Sequence, residues 1–406
     1  MMVILIMAWR NIWRNKMRSI VIILSVAVGL FAGIAILALY QGMMKSRVRT
    51  VIDAEVGHLQ IHDINFKKDY ESKFVLKNGA AILRAVNLIP GVKLAAARSI
   101  TTGMLSTTTG SAGVQINGII PQLEYGISQL KRKIIKGKAF DPAKNNEIMI
   151  GQKLATKMKL KVRSKLVLTF TDTSDNMVSG AFRVAAIYKS DNTPLDEKNV
   201  YVTMTDLNTL LGISGGFHEV IILLKNDQDV KKIQLALKQK FPAYQVESWR
   251  EISPETDFMV KTTDQYSYII MVIIMFALAF GIVNTMLMAV LERTREIGMM
   301  MALGTNRLKV FSLIFLETIF LTLAGTPVGV LIGWGASTYF NKHGLDLSGM
   351  GRDMMSSFGF GTMVYPEFPA DKLLAVLLIV AGTAVISCIF PAIKAVKLQP
   401  VDALRR

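Results

Sequence analysis

Four long apolar runs, very unevenly spaced, limit what this chain can fold into. Residues 20–40 carry no charge and include the small residues Ser25, Gly29, Ala32 and Gly33. Residues 266–291 are uncharged until Glu292. Residues 311–340 are interrupted only by Glu317 and softened by Gly325, Pro327 and Gly329. Residues 371–393 are apolar from Leu373, with Pro391 near the end. About 20 mainly apolar residues cross a bilayer, so the expectation is a polytopic α-helical membrane protein with four transmembrane helices. Composition agrees: 51% of residues are hydrophobic and 19% charged, against roughly 25% charged in soluble domains. Disorder needs the opposite balance. The single cysteine, Cys388, lies in an apolar run, which excludes a disulfide scaffold.

The net charge of +17 raises nucleic acid as a partner, but its distribution argues against that. Residues 41–265 hold about +10 and the remainder about +7, with no dominant stripe. Short flanks set the orientation. Residues 1–19 hold Arg10, Arg14, Lys16 and Arg18 and no acid. The 292–310 loop holds Arg293, Arg295, Arg307 and Lys309, and the 394–406 tail holds Lys394, Lys397, Arg405 and Arg406. The 341–370 loop holds Asp346, Asp353 and Glu367 against Lys342 and Arg352. Positive flanks stay inside, so both termini and the 292–310 loop are expected in the cytoplasm, with 41–265 outside it. The opening is not expected to be a cleaved signal peptide, since its basic cluster follows the apolar stretch. On a helix, Leu5, Trp9, Ile12 and Trp13 oppose Arg10, Arg14 and Arg18. That describes an interfacial helix, either an elbow gripping span one or an anchor.

Residues 41–265 read as a mixed α+β domain. Period-two alternation marks strands at 58–62 and 114–118, and further strands fall at 165–170, 182–188 and 218–224. Residues 229–241 have helical spacing. His58 and His62 share a strand face but lack a partner at metal-ligand spacing, so no metal is expected. The lysine-rich stretches 131–138 and 153–165 are either a solvated basic face or a contact for anionic headgroups or an acidic partner. No catalytic motif and no G-x-x-x-x-G-K-[ST] phosphate loop is present, so any ATP chemistry is expected on another chain.

The most informative stretch follows the second span: Glu292-Arg293-Thr294-Arg295-Glu296-Ile297-Gly298-Met299-Met300-Met301-Ala302-Leu303-Gly304. Glu292 and Glu296, and Arg295 and Met299, are spaced for a short helix. Gly304 suits its C-terminal closure, and Thr305 or Asn306 the cap of the next helix. Met299, Met300, Met301 and Leu303 leave apolar surface, either a docking face for a cytosolic partner or a face buried at the membrane interface.

This motif, with Leu316-Glu317 in the third span, closely resembles the permeases of the FtsX/MacB/LolC–LolE (type VII) ABC transporter family. The tail Pro391-Ala392 and Gln399-Pro400-Val401-Asp402-Ala403-Leu404 resembles that family's end. Ala8-Trp9-Arg10-Asn11-Ile12-Trp13, Gly57 to His62, Gly137 to Phe140 and Glu147 to Gly151 are most similar to its lipoprotein-releasing branch. The resemblance implies a MacB-like periplasmic core domain over 41–265 and an FtsX-like permease domain over 266–406. It implies a coupling helix at 292–304, with Glu292, Arg295, Glu296, Met299, Met300, Leu303 and Gly304 at a groove of an ATP-binding subunit. Two such subunits, carrying ATP and Mg, would join two permeases, identical or related. The motion would be mechanotransmission. The cargo would be a lipoprotein drawn from the outer leaflet of the inner membrane and passed to a periplasmic carrier. MacB-like export and FtsX-like control of a cell-wall hydrolase are the alternatives.

Such a cargo needs an apolar cleft open to lipid. Span one offers Phe31, Ile34 and Leu37, and span two Met271, Met275 and Phe276. Lipid contact and helix packing are the plainer roles. Asn284 and Glu317 are the polar residues inside spans, where ionisable groups are costly. A structural role is expected of Glu317, reaching the interface or pairing with a basic residue. The family's carrier-capturing hook is an extended loop. The matching place here, 172–180 with Asp172, Asp175, Asn176 and Met177, is a short turn. That leaves open a partner-type subunit, half of a homodimer, or release of another cargo.

Overall fold

The computed structural model describes residues 2–14 and 16–397. Met1, Asn15 and the tail 398–406, with Gln399 to Leu404, Arg405 and Arg406, lie outside the described residues. The chain forms two compact units, one of Met1–Met44, Val260–Leu345 and Val364–Arg406, the other of Lys45–Met259 and Asp346–Met363.

The apolar unit draws on six helices: α1 (Met2–Arg14), α2 (Lys16–Val51), α3 (Pro254–Glu292), α4 (Thr294–Ala302), α5 (Arg307–His343) and α6 (Leu373–Val396). The helices carrying the four apolar runs are long and apolar enough to cross a membrane. They extend beyond the expected spans, because residues such as Gln41, Lys45 and Arg47 end a hydropathy run without ending a helix. Ile22, Val26, Leu30 and Ile34 recur every fourth residue on α2 and meet Met271, Met275, Leu278 and Ile282 of α3 in one core. Val310, Ile314 and Leu321 of α5 and Val376 and Val380 of α6 complete it.

Burial between helices in lipid brings little hydrophobic gain, so close backbone approach matters more. Gly325, Gly329 and Gly333 line one side of α5 and meet α2. A Cβ on Gly329 would stand 2.8 Å from the Ala27 carbonyl oxygen and 3.0 Å from Leu30 Cβ. Pro327 lies within this helix without ending it.

The second unit is built on a ten-stranded mixed sheet. Its strands are β1 (Leu59–His62), β2 (Val92–Thr107), β3 (Gly110–Ile119), β4 (Ile134–Gly137), β5 (Glu147–Gly151), β6 (Lys165–Thr171), β7 (Met177–Tyr188), β8 (Asn199–Thr203), β9 (Glu219–Leu224) and β10 (Gln245–Ser248). The order is β10-β1-β9-β2-β3-β8-β5-β7-β4, with β6 pairing β2 and β7. The pairs β3–β8 and β5–β7 are parallel. Residues 92–98 of β2 pair with β9, and residues 103–106 pair with β6. Two apolar clusters result. One gathers Leu59, Ile61, Val220 and Ile222 under the helices Gly79–Asn87 and Val230–Lys240. The other gathers Ile116, Ile148, Leu168, Phe182 and Leu207.

Two of the buried polar groups inside this unit, Arg98 and His218, are held by several partners. Arg98 donates to both Glu124 oxygens at 2.9 and 2.6 Å and to the Glu55 carbonyl at 2.8 Å. His218 accepts from the Ile100 amide, donates to the Ser72 carbonyl and stacks on Phe66. Burial pushes its pKa down to about 4, so the ring is neutral.

Candidate functional site

The chain turns out of α3 at Arg293, whose backbone leaves helical values at φ −104° and ψ 19°. Thr294 Oγ1 donates to the Leu291 carbonyl at 2.8 Å, and α4 begins. Its end is a Schellman closure. The Gly304 amide donates to the Met301 carbonyl and the Thr305 amide to the Met300 carbonyl, both at 3.0 Å. This requires φ near +87° at position 304, which glycine adopts without strain. Asn306, rather than Thr305, then caps α5, its Oδ1 accepting from the Leu308 amide at 3.3 Å.

Two ion pairs fix this short helix. Arg14 Nη2 donates to both Glu296 oxygens, at 2.6 and 2.5 Å. Both side chains are about half exposed, so the pair adds little stability but joins α1 to α4. Trp9 meets Phe320 edge-on at 5.8 Å and holds α1 to α5 as well. The second pair is buried. Arg293 Nη1 donates to Glu317 Oε1 at 3.2 Å and Oε2 at 3.3 Å. Arg293 Nε and Nη2 are buried without hydrogen-bond partners among the described residues. Arg293 lines a cavity of about 30 Å³ with Asn11, Met286, Met300 and Glu317. Glu317 thus takes the basic partner that its position called for. Arg293, read from the sequence only as a flanking charge, is the residue that was missed. A lone acid in an apolar run was the signal for a buried cation.

The four apolar residues of the loop separate by helical phase. Met300 and Met301 are partly buried, packing against the core of the apolar unit, so they expose less apolar surface than Met299 and Leu303. Met299 is 54% exposed and Leu303 81%. Leu308, not anticipated, is 72% exposed on the first turn of α5. Glu292, Arg295 and Gly304 are exposed as well.

Two family models match the chain. An FtsX-like permease C-terminal model matches residues 268–400. A MacB-like periplasmic core domain model matches residues 19–240, more than half of the chain. The chain belongs to the ABC transporter permeases of the MacB, FtsX and LolC type. Relatives span it nearly end to end. An uncharacterised ABC transporter permease of Methanocaldococcus jannaschii is 22% identical over 99% of this chain and 97% of its own length. The lipoprotein-releasing system transmembrane protein LolC of Neisseria meningitidis is 22% identical over 97% and 95%. The macrolide export ATP-binding/permease protein MacB of Campylobacter jejuni is 22% identical over 98% of this chain but only 60% of its own length.

Elsewhere in this permease the candidate residues scatter. Ile34, Leu37, Met271 and Met275 lie inside the helix core, and Phe31 is half-buried. Phe276 faces outward beside Met275 and lines a shallow apolar groove of about 270 Å³ against Ile379 and Ile386 of α6. These six residues do not form one cleft within the chain. Asn284 is exposed. The 172–180 turn is shorter than expected, because β7 already starts at Met177. Asp172 Oδ1 accepts from the Ser174 and Asn176 amides at 2.8 and 2.9 Å, and Asp175 takes φ 62°. The Asn176 amide, first among these bonds, holds the Asp172 carboxyl below its ordinary pKa. Met177 at the tip is exposed.

The two strand histidines have separate partners. His58 Nε2 meets Asp227 at 2.8 Å, and His62 Nε2 meets Glu247 at 2.9 Å. The His62 contact pulls the Glu247 pKa down to about 2. Among the described residues no group of three or more His, Cys, Asp or Glu side chains is placed to hold a metal. In the lysine-rich stretches, Lys133 departs from a solvated face: burial lowers its pKa.

Proposed function

We propose that this permease converts ATP hydrolysis on a separate ATP-binding subunit into movement of its extracytoplasmic domain, and that its cargo is a lipoprotein. The observation that carries the reading is the pair of exposed apolar side chains, Met299 on α4 and Leu303 at its C-terminal cap, with the helix start held by two ion pairs and its end by a Schellman closure. An apolar knob on a rigid mount suits a groove on a partner, because little side-chain or loop order is lost on docking. The basic flanks support a cytoplasmic position for this loop and an extracytoplasmic one for the second unit. Two ATP-binding subunits would carry ATP and Mg, and a second permease copy, identical or related, would complete the machine. A periplasmic carrier would receive the lipoprotein.

Equal identity to MacB over 98% of the chain favours a second reading, export of a small amphiphile. Co-purification from native membranes with mass spectrometry of proteins and lipids separates the two. Acylated lipoproteins beside an ATP-binding subunit support release, whereas an ATP-binding subunit without them supports export. Leu303→Asp and Glu296→Lys test the docking itself. Both positions are exposed, so insertion and folding stay intact while stimulated ATP hydrolysis is lost. Normal stimulated hydrolysis in both variants refutes the docking.

A further inference from the structure

We propose that a groove between the start of α2 and the end of α3 seats the headgroup of an aminophospholipid. The groove holds about 770 Å³. Its charged lining is Arg14, Lys16 and Glu292, and its apolar lining is Met17, Val21 and Met288. All three apolar residues are exposed. On α2 the exposed face continues from Met17 and Val21 through Leu24 and Val28, at spacings of three and four residues. Charge therefore sits at one end of an apolar track, the pattern of an amphiphile and not of free phosphate. Trp9 and Trp13 are exposed on α1 close before Arg14, and tryptophan favours the headgroup level of a bilayer.

The charges choose the headgroup. Lys16 and Glu292 have no ion-pair partner among the described residues. Arg14 gives Nη2 to Glu296, and a guanidinium has five donor hydrogens. Two cations suit a phosphate diester. A purely anionic headgroup would leave Glu292 repelling it, whereas a phosphate with an attached ammonium group meets all three side chains. Phosphatidylethanolamine has that chemistry.

The test is native mass spectrometry of the full-length chain in non-ionic detergent, titrated with phosphatidylethanolamine or phosphatidylglycerol. The wild type should retain phosphatidylethanolamine more tightly. Glu292→Gln should weaken that lipid about tenfold, the scale of one charge-assisted contact, and leave phosphatidylglycerol unchanged or tighter. Lys16→Ala should weaken both lipids. Both positions are exposed, so either variant alone keeps the test open if the other misfolds. Equal retention of the two lipids by the wild type, or no change in Glu292→Gln, overturns the proposal. Displacement of the bound lipid by inorganic phosphate also overturns it, since the apolar track would then contribute nothing.

Discussion

Replacing Glu317 by alanine should be costly, and the structure indicates how costly. The pair with Arg293 is buried on both sides, and removing one member of such a pair leaves an uncompensated charge at about 3–5 kcal/mol. The geometry points to the lower end. Both hydrogen bonds run through Nη1 and are long, at 3.2 and 3.3 Å, while Nε and Nη2 already lack partners. After the change, Glu296 at 3.9 Å from Arg293 Nε is a poor substitute, because its carboxylate is half exposed and held by Arg14. A loss of about 3 kcal/mol follows. The double variant Arg293→Met with Glu317→Leu removes both charges and fills similar volume. It should be more stable than Glu317→Ala alone, because no uncompensated guanidinium is left buried. Unfolding of the full-length chain in mixed micelles, titrated with dodecyl sulfate, reads both values. A Glu317→Ala chain within about 0.5 kcal/mol of the wild type would refute the reasoning, as would a double variant no better than the single one.

Two further predictions concern packing and pH. Gly329→Val should cost about 1–3 kcal/mol by forcing a side chain into the Ala27 carbonyl, whereas Gly335→Ala, with nothing within 4 Å of the added carbon, should be neutral or stabilising by up to about 1 kcal/mol in the same unfolding titration. Burial raises the Asp196 pKa from 3.8 to about 6, so the folded chain binds the extra proton between those values; stability contributed by this group is full below about pH 4 and falls as pH rises to about 6, by at most about 3 kcal/mol. Hydrogen exchange of the β8 amides from pH 4 to 7 should show that slope, and Asp196→Asn should flatten it.

What the sequence disclosed and what it hid follow from distance along the chain. The apolar runs and the Glu-Arg-Thr-Arg-Glu-Ile-Gly motif are local patterns and were readable directly. Helix ends were less so, because hydropathy stops where charge begins, yet α2 continues through Lys45, Arg47 and Arg49 to Val51. The sheet order was hidden. β1 pairs with β10 across nearly the whole second unit, Leu59 opposite Ser248, and no local pattern encodes that register. β2 is not evident from the sequence because its first half holds Ala95, Ala96 and Ala97 and then Arg98, residues without strong strand preference, although the alanines are fully buried. The Arg293–Glu317 pair was half readable: the acid was conspicuous, but its partner lies 24 residues earlier across a helical turnaround.

That turnaround bears on how a push at this loop would travel under the proposed function. A flexible loop would absorb the displacement of a docked partner in its own backbone angles. Here the available freedom is small. The C-terminal end of α4 is closed by two hydrogen bonds around Gly304, its first turn is tied to α1 through Glu296, and the residue before it is tied to α5 through Glu317. Met300 and Ile297 pack from the opposite face into the helix core. A load on Leu303 therefore reaches α1, α3 and α5 together rather than one of them alone. The two ion pairs divide this task unequally. The exposed Arg14–Glu296 pair is weak and screened by salt, so it can yield during a stroke, while the buried Arg293–Glu317 pair is screened much less and holds α4 to the α5 helix throughout. Raised ionic strength should accordingly loosen α1 from α4 before it disturbs the junction of α4 with α5.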